Sequence, residues 1–156
     1  MYDATVRAMV DKAVELGVNG AGGVLSLHVS QILQGTFSPE LFVVGDFTRG
    51  PKDGDDGASF LAVALTKMAE MLDTLRDSGT TRGGKPLKGE LDYRGGIARD
   101  LKEGNYVFLF FSGGTADEDV EISEAGFKAF MEAGSNNRSK VVVLTIYVGR
   151  GANPEG

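Results

Sequence analysis

The stretch VFLFFSGGTADEDVEISEAG, Val107 to Gly126, decides how the rest of this chain is read. Five apolar residues run into Ser112-Gly113-Gly114-Thr115, and an acidic segment with helical spacing follows at once. An uninterrupted apolar run of this kind predicts a strand buried on both faces, in the middle of a sheet. Thr115 and Glu118 stand at the spacing of a capping box, in which each side chain accepts from the other's backbone N–H, so a helix is expected to start at Thr115. Strand, glycine turn and helix start are also the parts of a phosphate cradle. Here Asp117, Glu118 and Asp119 already complement the helix dipole, each by ~0.3–1 kcal/mol. At an effective dielectric near 20, each carboxylate about 6 Å from an incoming phosphate would cost roughly 2–3 kcal/mol. The acids outweigh the dipole. The two glycines are better read as a sharp turn that bares backbone where a neutral or large flat ligand can approach.

Outward from this stretch the pattern alternates between sheet and helix. IARDL, the turn KEGN and YVFLFF predict a hairpin. Before it lies a glycine-rich loop from Gly79 to Gly96, preceded by a helix with Leu61, Leu65, Met68, Leu72 and Leu75 on one stripe, capped by Ser59 and ending near Ser78-Gly79. GGVLSLHVSQIL and LFVVGDFT read as two strands of a first hairpin, and RGPKDGDDGAS as a polar loop. The N-terminal helix carries Val6, Met9, Val10, Ala13 and Val14 and stops at Gly17. After the third helix, which should run to about Ala133, KVVVLTIYV predicts a last strand. The expected order is α-β-β-α-β-β-α-β: one α+β domain over residues 1–148, a single five-stranded antiparallel sheet flanked by about three helices, with 149–156 as a disordered tail.

Composition narrows the function classes. The chain has 156 residues, 42% hydrophobic and 24% charged, enough for one domain with a real core. A net charge of -6 without a basic stripe argues against nucleic acid and anionic membrane surfaces as partners. With no cysteine, thiolate metal sites, disulfides and Cys nucleophiles are excluded. No segment approaches the roughly 20 apolar residues of a membrane helix, and the N-terminus lacks the layout of a signal peptide, so a cytoplasmic protein is expected.

The remaining motifs carry little chemistry. GTTRGGKP, Gly79 to Pro86, puts a proline where a nucleotide-binding loop needs a hydroxyl, and it follows a helix instead of a strand. GAGGVL precedes a strand and lacks the third glycine of a dinucleotide fingerprint. DGDDG breaks the calcium-loop spacing at Gly57 and reads as a solvated turn. His28 is the only histidine, so no two-histidine metal site exists, and no metal site is expected. It reads as an edge or surface residue; the alternative is a single axial ligand to a haem. No catalytic constellation is visible, which leans away from an enzyme.

The order of motifs resembles the GlcG/HbpS-like family of small haem-associated proteins. The resemblance rests on GGI at Gly95 to Ile97, the hairpin through KEGN, and Ser112, Gly113, Gly114, Thr115, Asp119, Ala125 and Gly126 in sequence. GASFLAVALTKMAEM resembles the family's central Ala-Ser helix with its lysine, at looser spacing. The strong part covers about 40 residues. Two features depart from the pattern: SQILQGTFSPEL replaces a short turn, and the segment before Gly95 lacks the usual proline. The resemblance implies a profilin-like sandwich, a homo-oligomer, and haem or a related tetrapyrrole as a small-molecule ligand. The residues expected to hold it are His28, Arg94, Gly95, Gly96, Ser112, Gly113, Gly114 and Thr115, with Arg82, Arg94 and Arg99 available to propionates. The alternatives are an assembly protein, or an enzyme acting on a small organic acid or aldehyde.

Overall fold

In the computed structural model the backbone is described for residues 2–151 and side chains for residues 2–134. The elements are α1 (Asp3–Leu16), β1 (Gly20–His28), α2 (Val29–Gln34), β2 (Glu40–Val44), β3 (Thr48–Arg49), β4 (Ala58–Ser59), α3 (Phe60–Thr74), β5 (Ile97–Lys102), β6 (Asn105–Ser112) and α4 (Ala116–Gly151). Strands β2-β1-β6-β5 form an antiparallel sheet in that order, and β3-β4 form a separate two-stranded ribbon.

The apolar run of β6 is central, as its composition requires. Val107, Leu109 and Phe111 point to one face, where they join Met9, Ala13, Val24, Ile97 and Ile122 beneath α1 and α4. Phe108 and Phe110 point to the other, with Leu25, Leu27, Ala64 and Met71 beneath α3. Alternating side chains of one strand thus supply both cores. The glycines of β1 make room for the rings on β6: a Cβ at Gly22 would stand 2.9 Å from Phe111, and one at Gly23 2.7 Å from Phe110. At Gly126 a Cβ would meet Met9 at 2.6 Å and Leu109 at 2.8 Å, so α1, α4 and β6 approach each other there without a side chain between them.

Four expectations need correction. The sheet has four strands, not five: residues 140–148 continue α4 in place of the predicted last strand. A β-branched apolar run is compatible with either state, and Gly134 does not take the left-handed conformation that would have ended the helix. Second, the strand read through SQIL ends at His28. Its ring accepts from the Ser30 N–H at 3.1 Å, and the His28 N–H donates to Gln31 Oε1 at 2.8 Å, which starts α2. Third, the polar loop RGPKDGDDGAS contains the β3-β4 ribbon, closed by Arg49 on Asp55 at 2.9 Å and by the Gly57 N–H on Asp55 Oδ1 at 2.7 Å. Fourth, α3 ends at Thr74, four residues early, with Leu75 left-handed. The order is therefore α-β-α-β-β-β-α-β-β-α. Residues 152–156 of the expected tail lie outside the described residues. Among those described, no helix is long and apolar enough to cross a membrane.

Two glycines separate backbone freedom from space. Gly17 caps α1 at φ 70° with open room around it, whereas Gly113 at φ 144° lies against the Asn19 carbonyl. In chemical denaturation Gly17→Ala is expected to cost about 1 kcal/mol, from the left-handed conformation alone. Gly113→Ala should cost about 3 kcal/mol or prevent folding, because strain and backbone overlap add. Equal costs at the two sites would contradict the close approach.

Candidate functional site

The Ser112–Thr115 turn is built around a buried ion pair. Leaving the sheet at Ser112, the backbone bends through Gly113 against Asn19 and Gly20. The capping box of α4 forms as expected: the Thr115 N–H donates to Glu118 Oε1 at 2.9 Å, and the Glu118 N–H to Thr115 Oγ1 at 3.2 Å. Asp119, one residue further on, turns inward. Its Oδ1 accepts from the Gly114 N–H at 2.9 Å, and its Oδ2 accepts from Lys67 Nζ at 3.0 Å. Lys67 also donates to the Phe111 carbonyl at 2.7 Å. The two side chains are 3% and 5% exposed.

Gly95 and Gly96 complete this arrangement from behind. At Gly95, with φ 135°, a Cβ would lie 2.5 Å from Lys67 Nζ and 2.8 Å from Asp119. Only glycine allows both that backbone and that approach. The Gly95 carbonyl accepts from Ser123 Oγ at 2.7 Å, and the Gly96 N–H donates to Ser78 Oγ at 2.9 Å. Residues from α3, the 76–96 loop, β6 and α4 therefore converge on one charge pair.

Burial pushes the Lys67 ammonium below its ordinary pKa, and the Asp119 charge opposes that shift. Burial likewise pushes the Asp119 carboxyl up to about 6, against Lys67 and the Gly114 N–H, which favour its ionised form. Both shifts act in the direction of a neutral pair.

The pair lies on the floor of a cleft of about 760 Å³. One wall is the β3-β4 ribbon with Phe60 and Val63 of α3. The other is Leu91 to Arg94, and the Ser112–Gly114 turn closes the end. Arg49, which also holds Asp55 at 2.9 Å, and Arg94 stand on the two walls. Among the described residues Arg94 is held by Asp117 alone, at 3.2 Å, in a pair 50% and 88% exposed. Such a pair contributes about 0–1 kcal/mol and exchanges readily for a ligand anion.

The structure gathers most, but not all, of the residues singled out from sequence. Arg94, Ser112, Gly113 and Gly114 line the cleft, Gly95 and Gly96 back its floor, and Thr115 caps α4 beside it. His28 is elsewhere. It pairs with Asn105 at the far end of β1, seven residues from the Ala21–Ser112 pair, or about 23 Å away along the strand. There it is exposed, accepts from the Ser30 N–H and lies over Gly104. Arg82 is engaged by Asp73 at 2.6 Å and Glu90 at 2.9 Å. Arg99 is engaged by Asp77 at 2.9 Å and lies 5.8 Å from the Phe127 ring centroid. No group of three or more acidic or histidine side chains placed to hold a metal ion occurs among the described residues.

Sequence reasoning missed Lys67, Asp119, Arg49 and Tyr93 as site residues. For Lys67 a signal existed: Ala64, Lys67 and Met71 are spaced three and four apart and share the face that α3 buries. The leucine stripe drew attention to the neighbouring face. Asp119 was marked only as one residue of the family-like motif, and nothing in its local sequence set it apart from Asp117 and Glu118.

No family model and no curated protein matches the sequence. Solved structures do match in fold. PduOC, solved as a complex with heme, aligns over 81% of this chain and 89% of its own at 16% identity, TM-score 0.57. The Klebsiella pneumoniae protein ORFY, a DUF336 protein, aligns over 83% and 86% at 15% identity, TM-score 0.58. HbpS aligns over 80% and 83% at 18% identity, TM-score 0.43. The chain thus has the fold of PduOC and ORFY, in keeping with the GlcG/HbpS-like resemblance carried by its glycine motifs.

A carboxyl-selective NMR titration tests the buried pair. Asp119 should titrate near pH 6. In Lys67→Met the cation that holds this value down is gone, so the midpoint should move higher. The sign for stability follows: a carboxyl raised in the folded state contributes most below its unfolded value near 3.9, and that contribution fades as pH rises through 6. Lys67→Met should therefore lose stability more steeply than wild type between pH 4 and 7. A midpoint near 4 in both proteins would contradict the burial.

Proposed function

We propose that this protein binds a small-molecule ligand in the cleft over Lys67 and Asp119, and that haem or a related tetrapyrrole is the leading candidate class. The observation that carries the reading is the convergence of the family-like glycine motifs on the floor of one cleft, with an arginine on each side. Phe60, Val63 and Leu91 offer apolar contact to a flat ring, while Arg49 and Arg94 suit propionates at its edge. No histidine lies in the cleft, and His28 serves as the cap of α2. Tyr93, 54% exposed on the cleft wall, is the side chain whose oxygen suits iron ligation there. When bound, a haem would supply its own iron chemistry; the chain would supply an apolar slot, two cations and one phenol. PduOC, with the same fold, was solved with heme, which supports this choice.

Titration with hemin is the direct test. The Soret band should saturate at one equivalent, be unchanged in His28→Ala, shift in Tyr93→Phe, and weaken about fivefold in affinity in Arg94→Ala, as for the loss of about 1 kcal/mol. Non-saturating spectra that are the same for wild type and Arg94→Ala would rule out this site.

A homo-oligomer is a second reading, compatible with the first. Leu33 is 93% exposed and stands with Ile32, Phe37 and Leu72 around an apolar groove of about 770 Å³ between α2 and α3. Exposed apolar area of this kind favours association. Light scattering at micromolar concentration should give a mass above one chain, falling in Leu33→Asp. A monomer at that concentration would overturn the reading.

A further inference from the structure

We propose that Lys67 is an amine nucleophile that captures a small 2-oxo acid as an imine, with Asp119 as its proton carrier. The inference rests on the cleft being a ligand site and adds a chemistry to its floor.

Three features of the geometry support it. First, Lys67 is 3% exposed, yet it lines the cleft floor, so a small carbonyl compound can reach an amine from which bulk water is largely removed. Desolvation is the usual way a lysine is made nucleophilic near neutral pH. Second, Asp119 Oδ2 lies 3.0 Å from Nζ, within direct proton-transfer distance. The neutral amine would keep its donation to the Phe111 carbonyl, and the protonated carboxyl would keep the Gly114 N–H on its other oxygen. The scaffold holds both states without rearrangement. Third, Arg49 and Arg94 line the same cleft, so an acid whose carbonyl faces Lys67 can direct its carboxylate to a guanidinium.

The steps balance without an oxidant or reductant. Lys67 passes one proton to Asp119. The freed lone pair attacks the carbonyl carbon, a C–N bond forms, and the carbonyl oxygen takes the proton from Asp119. Asp119 then receives a proton from the nitrogen and delivers it to the hydroxyl, which leaves as water. The product is a protonated imine beside the Asp119 carboxylate, the same charge pair as at the start.

Glyoxylate with cyanoborohydride tests this on the intact protein, read by peptide mass mapping of carboxymethylated lysines. Lys67 should be labelled about tenfold faster at pH 7 than the exposed Lys52, Lys85 and Lys88, with a rate that saturates in glyoxylate. Arg94→Ala should raise the half-saturating concentration several-fold, and Asp119→Asn should slow labelling at Lys67 while the exposed lysines keep their rates. If Asp119→Asn does not fold, saturable labelling of the wild type decides the question. Labelling of Lys67 no faster than that of the exposed lysines, or linear in glyoxylate, overturns the proposal. Should that occur in a protein that still binds hemin saturably, the imine chemistry fails and the ligand site stands.

Discussion

A lysine and an aspartate, 52 residues apart and removed together from water, set the terms for the functional end of this molecule. An ion pair in such a place costs several kcal/mol per charge in lost hydration, and Coulomb attraction offsets this only if the remaining hydrogen-bonding capacity is used. Here it is used. Lys67 has the Phe111 carbonyl near the end of β6, and Asp119 has the Gly114 N–H. One partner is a backbone group of β6 beside the turn and the other lies within it, so the turn must take a shape that presents both. The glycines at 95, 113 and 114 follow from that requirement. At Gly95 and Gly113 a Cβ would strike the pair or the facing strand, and at Gly114 it would crowd Glu118 and Asp119 at 3.0–3.2 Å.

How far the sequence could reveal this depended on the range of the signal. The β6 strand and the Thr115–Glu118 cap were legible because each is written within a few consecutive residues. The β5-β6 hairpin was legible for the same reason. Lys67 and Asp119 carry only weak marks alone: a lysine at the spacing of the face that α3 buries, and one of three acids that falls in the family-like motif. What marks them is their partnership, which only the packing of α3 against the end of β6 creates. His28 failed in the opposite way. Its uniqueness invited a functional role, while the local capping of α2 by a ring nitrogen was too unusual a pattern to read. Residues 140–148 show the limit of propensity, because a β-branched run joined directly to a growing helix can continue it.

The inward turn of Asp119 also changes the electrostatic argument about ligands. Counted along the sequence, the first turn of α4 carries three equivalent carboxylates. In space they separate: Asp119 is matched by Lys67, Glu118 is held by the Thr115 amide, and Asp117 is paired with Arg94 at the surface. The repulsion toward an anion is therefore smaller than a count of charges gives. It remains large enough to disfavour a dianionic phosphate at the helix end, where Glu118 stays. A monoanionic carboxylate on the other side of the turn instead meets Arg94 and Arg49. The same three acids thus discourage one class of anion and tolerate another, according to which side of the turn it approaches.

That side is fixed by the loop between α3 and β5, which forms one wall of the cleft. Its base is tied down repeatedly. The Gly79 N–H donates to the buried Glu70 at 2.7 Å, Arg82 bridges Asp73 and Glu90, and Asp77 holds both the Ala98 N–H and Arg99. Burial raises the Glu70 carboxyl above its ordinary pKa, and nearby Asp92 and Glu90 add to the shift, while the Gly79 N–H works against it. Glu70 and Lys67 sit on the same face of α3, so one helix anchors the loop through one residue and the turn through the other. The tip differs: Leu87, Leu91 and Tyr93 are exposed. A wall fixed at its root and open at its edge keeps Arg94 near the floor while leaving apolar surface for a ligand to cover. The two parts are joined through Glu90, whose carboxylate takes both Arg82 of the root and the Leu87 N–H of the tip, so the open edge is still referred to the fixed base.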